Sequence, residues 1–395
     1  MAALQETEGR QEFSLVLGGP LFQLLRRAHL TDDQLGMVVR RIIAAILIAW
    51  VPLLILTVAD GGFVDEARKA PFFEDVGFHL RFLVVAPMLI ASELLVHERL
   101  FPLVRQFESR QLIKPADAGR FADAAAAAMR WRNSILAEAL LLVVVYVAGG
   151  LFTLHRYREL GAGGWYASGS GDGLSRAGYW LVFVSLPLLQ FLLLRWYFRL
   201  AVWGAFLWRV SRLDLDLLAT HPDRSGGLGF LGGSLVAFMP IAGAHGALFA
   251  GMIADRILFT GATLPQFQLD IMGGAAFLLA VFAGPLLVFM PRLAQVKRAG
   301  LMEFGALAQT YVRDFRGKWI WGLAQVDEPL IGSGDIQSLA DLGNSYEVTR
   351  QMRITPISLR AAVNFTAAFL APIVPLALTM MPAEKLVQRL LDLIV

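Results

Sequence analysis

The densest run of groups able to do chemistry is 214–229, Asp-Leu-Asp-Leu-Leu-Ala-Thr-His-Pro-Asp-Arg-Ser-Gly-Gly-Leu-Gly. Asp214, Asp216, His221 and Asp223 fall within ten residues. Carboxylate oxygens with one imidazole suit a divalent cation, which makes His221 and Asp223 a candidate metal pair. The same text also reads as the entry to a helix. Asp223 or Ser225 supplies a cap, Pro222 fixes a turn, and Gly226–Gly227 after Arg224 let the chain swing round. That second reading needs no metal or cofactor, and none is expected. No nucleotide loop, zincin spacing or nucleophile elbow occurs. The absence of cysteine excludes disulfides and thiol chemistry.

A second set of residues stands out by its surroundings. Glu93, Glu138 and Arg195 lie inside long apolar runs, where a charge costs a few kcal/mol to place in lipid. Two readings fit them. One is an arginine–carboxylate network tying helices together. The other is a charged constriction on an ion or proton path. His245 sits deeper, in Gly-Ala-His-Gly-Ala (243–247), with Asp255 and Asp270 near the far ends of their runs. A lone buried histidine reads as a hydrogen-bonded core residue or as a proton carrier. Gly229/Gly233 and Gly243/Gly251 recur at four-residue multiples around it. In lipid that spacing lets helix backbones touch, which gives either tight packing or a span that moves as a gate.

The elements that must hold these residues are membrane helices. With 56% hydrophobic and 17% charged residues, the chain is far less charged than a soluble domain at about 25%. About 20 apolar residues cross the ~30 Å hydrocarbon layer. Runs of that kind lie at 42–59, 80–96, 134–154, 179–200, 228–254, 269–290 and 358–380. The expected class is therefore an all-α polytopic membrane protein with about seven spans (six to eight) and a helical cytoplasmic layer made of span extensions.

Lys and Arg mark the orientation. The arm to Arg41 carries five, 97–133 seven, 209–227 three and 291–357 eight. The intervening connections 60–79, 155–178 and 255–268 carry two, three and one. The positive-inside rule then puts the N-terminus in the cytoplasm and the C-terminus in the periplasm. By that topology Glu93, Glu138 and Arg195 share one depth near the inner leaflet. The high pI is thereby assigned to topology, and nucleic acid is not an expected partner. The arginine-rich composition points to a bacterial inner membrane.

The expected organisation is an N-terminal arm 1–41 with an interfacial helix at 20–29, and spans one to six over 42–290 with helical connections at 97–133 and 209–227. A cytoplasmic helical segment 291–357 follows, then the last span 358–380 and an amphipathic tail 381–395. Thr31 is expected to cap the first span, 116–133 to run straight into the third, and the fourth to continue towards Leu218. Trp131, Trp165, Trp180, Trp196 and Trp208 are expected as interfacial belt residues. No repeat is evident between the halves. These features fit an oligomeric ion channel or small-solute permeation protein, a homo-oligomer in the bilayer. The alternatives are a membrane enzyme acting on a lipid or lipid-linked substrate at the 214–229 loop, and a non-catalytic sensor or assembly subunit docking through 333–352.

Overall fold

The computed structural model describes residues 13–32, 35–60, 71–151, 164–168, 173–322 and 329–380. The expected amphipathic tail at 381–395 and the start of the N-terminal arm lie outside these. Among the described residues the chain is all-helical, with only isolated backbone bridges at Ile113–Leu215 and Ala167–Leu174.

A short helix α1 (Pro20–Arg27) opens the described bundle, with Pro20 in its first turn and Arg26 and Arg27 in its last. Both placements suit a helix: proline lacks only an orphan N–H there, and cations complement the C-terminal dipole. Three long helices follow as candidate spans, α2 (Val38–Ala59), α3 (Val76–Ser109) and, further on, α6 (Arg176–Val210). Between them, α4 (Pro115–Arg132) and α5 (Ile135–Gly149) meet at a 45° bend. The central helix is α7 (Gly233–Thr260). Next comes α8 (Leu264–Ile320), whose 57 residues run from an apolar half into a basic half. Then α9 (Gly334–Arg350) packs back on α8. Last, α10 (Leu359–Leu370) bends by 51° into a tighter turn at Val374–Met380. Among the described residues five helices are long and apolar enough to cross a membrane, and up to seven if each bent pair is one span.

Several expectations on boundaries are corrected. Thr31 does not cap α2, which begins at Val38 behind Met37 without a side-chain cap. The 116–133 helix does not run straight into 135–149, because Ser134 starts a new helix by accepting the Ala137 N–H at 3.2 Å. Helix α6 stops at Val210 rather than near Leu218. Its continuation turns extended, and the Asp216 N–H reaches the Leu112 carbonyl at 3.0 Å. Pro372 and Pro375 account for the break after α10, since each removes a helical donor. Trp165 and Trp196 are not belt residues; both are buried. Trp165 donates to Asp75 and Trp196 to the Leu89 carbonyl.

Helices α3 and α6 follow one plan, 100 residues apart. Asp75 and Ser175 cap their starts, accepting from Phe78 and Gly178 at 2.7 and 3.0 Å. A wide turn follows at Arg81–Val85 in one and Leu181–Ser185 in the other. Pro87 and Pro187 come two residues later. A proline crowds the preceding turn and takes no bond from it, so the helix opens just ahead.

The core lies where α7 meets α3 and α10. Glycine allows the contact. A Cβ on Gly246 would collide with the Phe369 carbonyl, and one on Gly251 would sit 2.8 Å from the Gly77 Cα. Outward faces are apolar: Leu136 is 82% and Leu269 81% exposed, with Leu140, Phe277 and Ile43 also exposed. Such a surface is unstable in water and stable in lipid.

Candidate functional site: a buried charged node

Four helices and the N-terminal arm converge on one cluster of charges. Glu93 comes from the middle of α3. Arg195 and Arg199 come from α6, four residues apart and therefore on one face. Arg41 comes from the first turn of α2, and Glu138 from the first turn of α5. All five are buried; Arg41 and Arg195 are each 5% exposed.

Glu93 is the hub. Its Oε1 accepts from Arg199 at 2.8 Å and from Arg195 at 3.2 Å, and its Oε2 accepts from Arg41. The other arm of Arg195 reaches Glu138 Oε1 at 3.5 Å. Glu138 Oε2 accepts the Leu21 N–H at 2.7 Å. That bond stands in for the missing side-chain cap on α1, whose N-cap position is Gly19. Arg199 stacks over Trp196 at 4.7 Å. Arg132 borders the node, bonding the Ser14 carbonyl at 2.5 Å and anchoring the arm.

The node carries three guanidinium groups against two carboxylates. Its positive surplus has a visible location. Arg41 gives one N–H to Glu93, while its Nε and Nη2 have no hydrogen-bond partner among the described residues. A cleft of about 200 Å³ adjoins it, lined by Arg41, Glu93 and Arg195 and by apolar side chains of α1, α2 and α6.

The three charges singled out inside apolar runs of the sequence thus meet. The remaining candidates do not join them. His245 is held by its own helix and by α6. Its Nδ1 faces the Ile241 carbonyl at 2.8 Å and its Nε2 the Tyr197 hydroxyl at 2.7 Å. A carbonyl only accepts, so Nδ1 bears a proton, and in the neutral ring Nε2 then accepts from tyrosine. Both ring nitrogens are occupied. Asp255 accepts the Gly77 N–H at 2.9 Å, so it serves the start of α3. Asp270 is exposed in the first turn of the Gln268–Ala283 stretch. Gly233, Gly243 and Gly251 lie against Leu103, Met88 and Gly77, and Gly229 against Asp223.

The 214–229 loop is a knot of backbone caps. Asp223 Oδ1 accepts from Ser225 at 2.8 Å and Gly227 at 3.1 Å, and Oδ2 accepts from Gly229 at 2.8 Å. Burial opposes its charge, but these three N–H groups and nearby His221 hold its pKa below the usual carboxylate range. His221 Nδ1 takes the Asp223 N–H at 3.2 Å. Arg224 sits at φ +53°, and its carbonyl accepts the Arg353 N–H at 2.7 Å. Asp214 pairs with Lys114 at 2.5 Å and with Arg292. Asp216 is exposed. Among the described residues no three His, Cys, Asp or Glu side chains gather as a metal site.

Two members of the node escaped the sequence reading. Arg41 falls among the basic residues of the arm that mark topology, and Arg199 lies inside an apolar run without being singled out. The four-residue spacing of Arg195 and Arg199 on an apolar helix was the available signal. Arg41 gave none, because only the fold brings it to Glu93. Comparison with protein-family models, curated proteins and solved structures gives no match.

Proposed function

We propose that the chain is an integral membrane protein that passes an anion or anionic solute, and that the node is where the solute is held. The carrying observation is the buried positive surplus: three arginines against two glutamates, with Arg41, whose Nε and Nη2 have no partner among the described residues, lining a cleft. Buried cations in excess of their counter-charges are costly, and in membrane helices such charges mark substrate and ion pathways. The outward apolar faces support insertion in a bilayer. The alternation of Arg-rich connections supports a cytoplasmic N-terminus and a periplasmic C-terminus; a bacterial inner membrane and a homo-oligomeric assembly are part of the proposal. The lipid-enzyme alternative has less to stand on, since both Asp223 oxygens are engaged by backbone N–H groups.

Reconstitution in liposomes tests the proposal. Opposed gradients of a potassium salt and a panel of anions (chloride, phosphate, a dicarboxylate, an acid-headed amphiphile) are imposed. Protein-dependent movement of at least one anion, without potassium movement, is expected. Protein-dependent potassium movement with no anion carried contradicts the proposal.

A further inference from the structure

The cleft beside the node has two chemically distinct parts. Its floor is Arg41, Glu93 and Arg195, and its walls are apolar, including Leu21 and Leu25 of α1, Ile48 of α2 and Leu192 of α6. Arg41 lines the cleft but is buried; its Nε and Nη2, closed to water in this structure, find no partner among the described residues, and an acid group reaches them only as the wall shifts. Those nitrogens carry three of the five guanidinium N–H groups. The nearby carboxylates cannot supply the missing acceptors: Glu93 already takes three arginines, and Glu138 divides itself between Arg195 and Leu21.

A free inorganic anion would satisfy Arg41 but would lose its hydration against leucine walls. An acid head on an acyl tail sets each part against its like. About 200 Å³ is the liquid volume of roughly six or seven waters. That is room for one phosphate or carboxylate and the first carbons of a chain, the rest lying in the bilayer. Helix α1 puts Leu21 and Leu25 over the cleft and ends in Arg26 and Arg27. Basic residues at a membrane surface draw anionic headgroups.

We propose that this cleft takes the acid headgroup of an anionic lipid from the bilayer, with the head on Arg41 and Arg195 and the tail along Leu25 and Ile48. The proposal rests on the reading that the node holds an anion, and it names that anion's class: lipid-borne rather than free in water.

Native mass spectrometry of the full chain, released from a neutral detergent with equal phosphatidic acid and phosphatidylcholine, tests it; inorganic phosphate is titrated separately. One retained phosphatidic acid is expected, at least tenfold over phosphatidylcholine. Arg41→Gln should abolish the preference. This variant leaves two arginines facing two glutamates, so the fold should survive, which a monodisperse elution profile checks. Ala44→Phe, which fills the apolar wall and touches no charge, should abolish it too. Equal retention of the two lipids overturns the proposal, as does a preference unchanged in both variants, which would come from exposed basic residues. Phosphate binding alone as tightly as phosphatidic acid also overturns it, while leaving anion passage standing. Lipid retention without any protein-dependent flux does the reverse: it supports this proposal and sinks the permeation reading.

Discussion

Glu93 is the residue on which the node depends. It is the one carboxylate that all three buried arginines reach. Removing one partner of a buried ionic group costs about 3–5 kcal/mol, because the other is left charged and unpaired. Glu93→Gln should therefore unfold far more easily than wild type on heating in detergent. Arg41→Gln removes surplus charge and should unfold near the wild-type temperature. Similar losses in the two variants would contradict the charge count. At Asp223 the question is pH. Its folded pKa is depressed, so the stability it supplies is present above the unfolded value, about 3.9, and is lost as pH falls through the lower folded value. Asp223→Asn should be less stable than wild type at neutral pH, and the gap should close on acidification below about pH 4. A gap that stays constant down to pH 2 would show that the capping carboxylate carries no such linkage.

Among the elements, α7 makes the sharpest demand on sequence. A Cβ at Gly246 would meet the backbone carbonyl of Phe369, which cannot step aside, whereas one at Gly243 would sit 3.0 Å from the flexible end of Met88. Overpacking a tight core costs about 1–3 kcal/mol. Gly246→Ala should incur at least that penalty, and Gly243→Ala clearly less, as read from thermal unfolding of the purified variants. Equal effects would mean that α7 and α10 are not in backbone contact. Elements of this kind were partly legible in advance. Apolar run length located the helices, and the glycine spacing pointed to close backbone contact along α7 or to a moving gate. The bends at 133–134 and after Leu370 did carry signals, Asn133-Ser134 and Pro372/Pro375, but the apolar runs beside them let each pair read as one helix. The shared plan of α3 and α6 was not visible: it lies in caps, wide turns and Pro87/Pro187 rather than in similar side chains. The charged layer was legible in Glu93, Glu138 and Arg195, whose cost in lipid is intrinsic. Arg41 became part of it only through tertiary contact.

On the scale of the whole molecule, the orientation is open to direct reading, because the chain has no native cysteine to remove. Asp270, near the start of α8, and Ile331, beyond its end, are both exposed. A membrane-impermeant maleimide should label Asp270→Cys from the periplasmic side of intact cells stripped of their outer membrane. It should label Ile331→Cys only after the inner membrane is opened. Labelling of both before permeabilisation would overturn the topology drawn from the Lys and Arg distribution. The central claim is functional, that the surplus arginine of the node holds the anion that crosses. It is tested most directly by protein-dependent anion uptake into liposomes, compared for wild type, Arg41→Lys and Arg41→Gln at matched incorporation. Uptake should fall at least tenfold in Arg41→Gln and recover in part in Arg41→Lys, which restores the charge without the guanidinium fork. Equal uptake by all three proteins would contradict the claim.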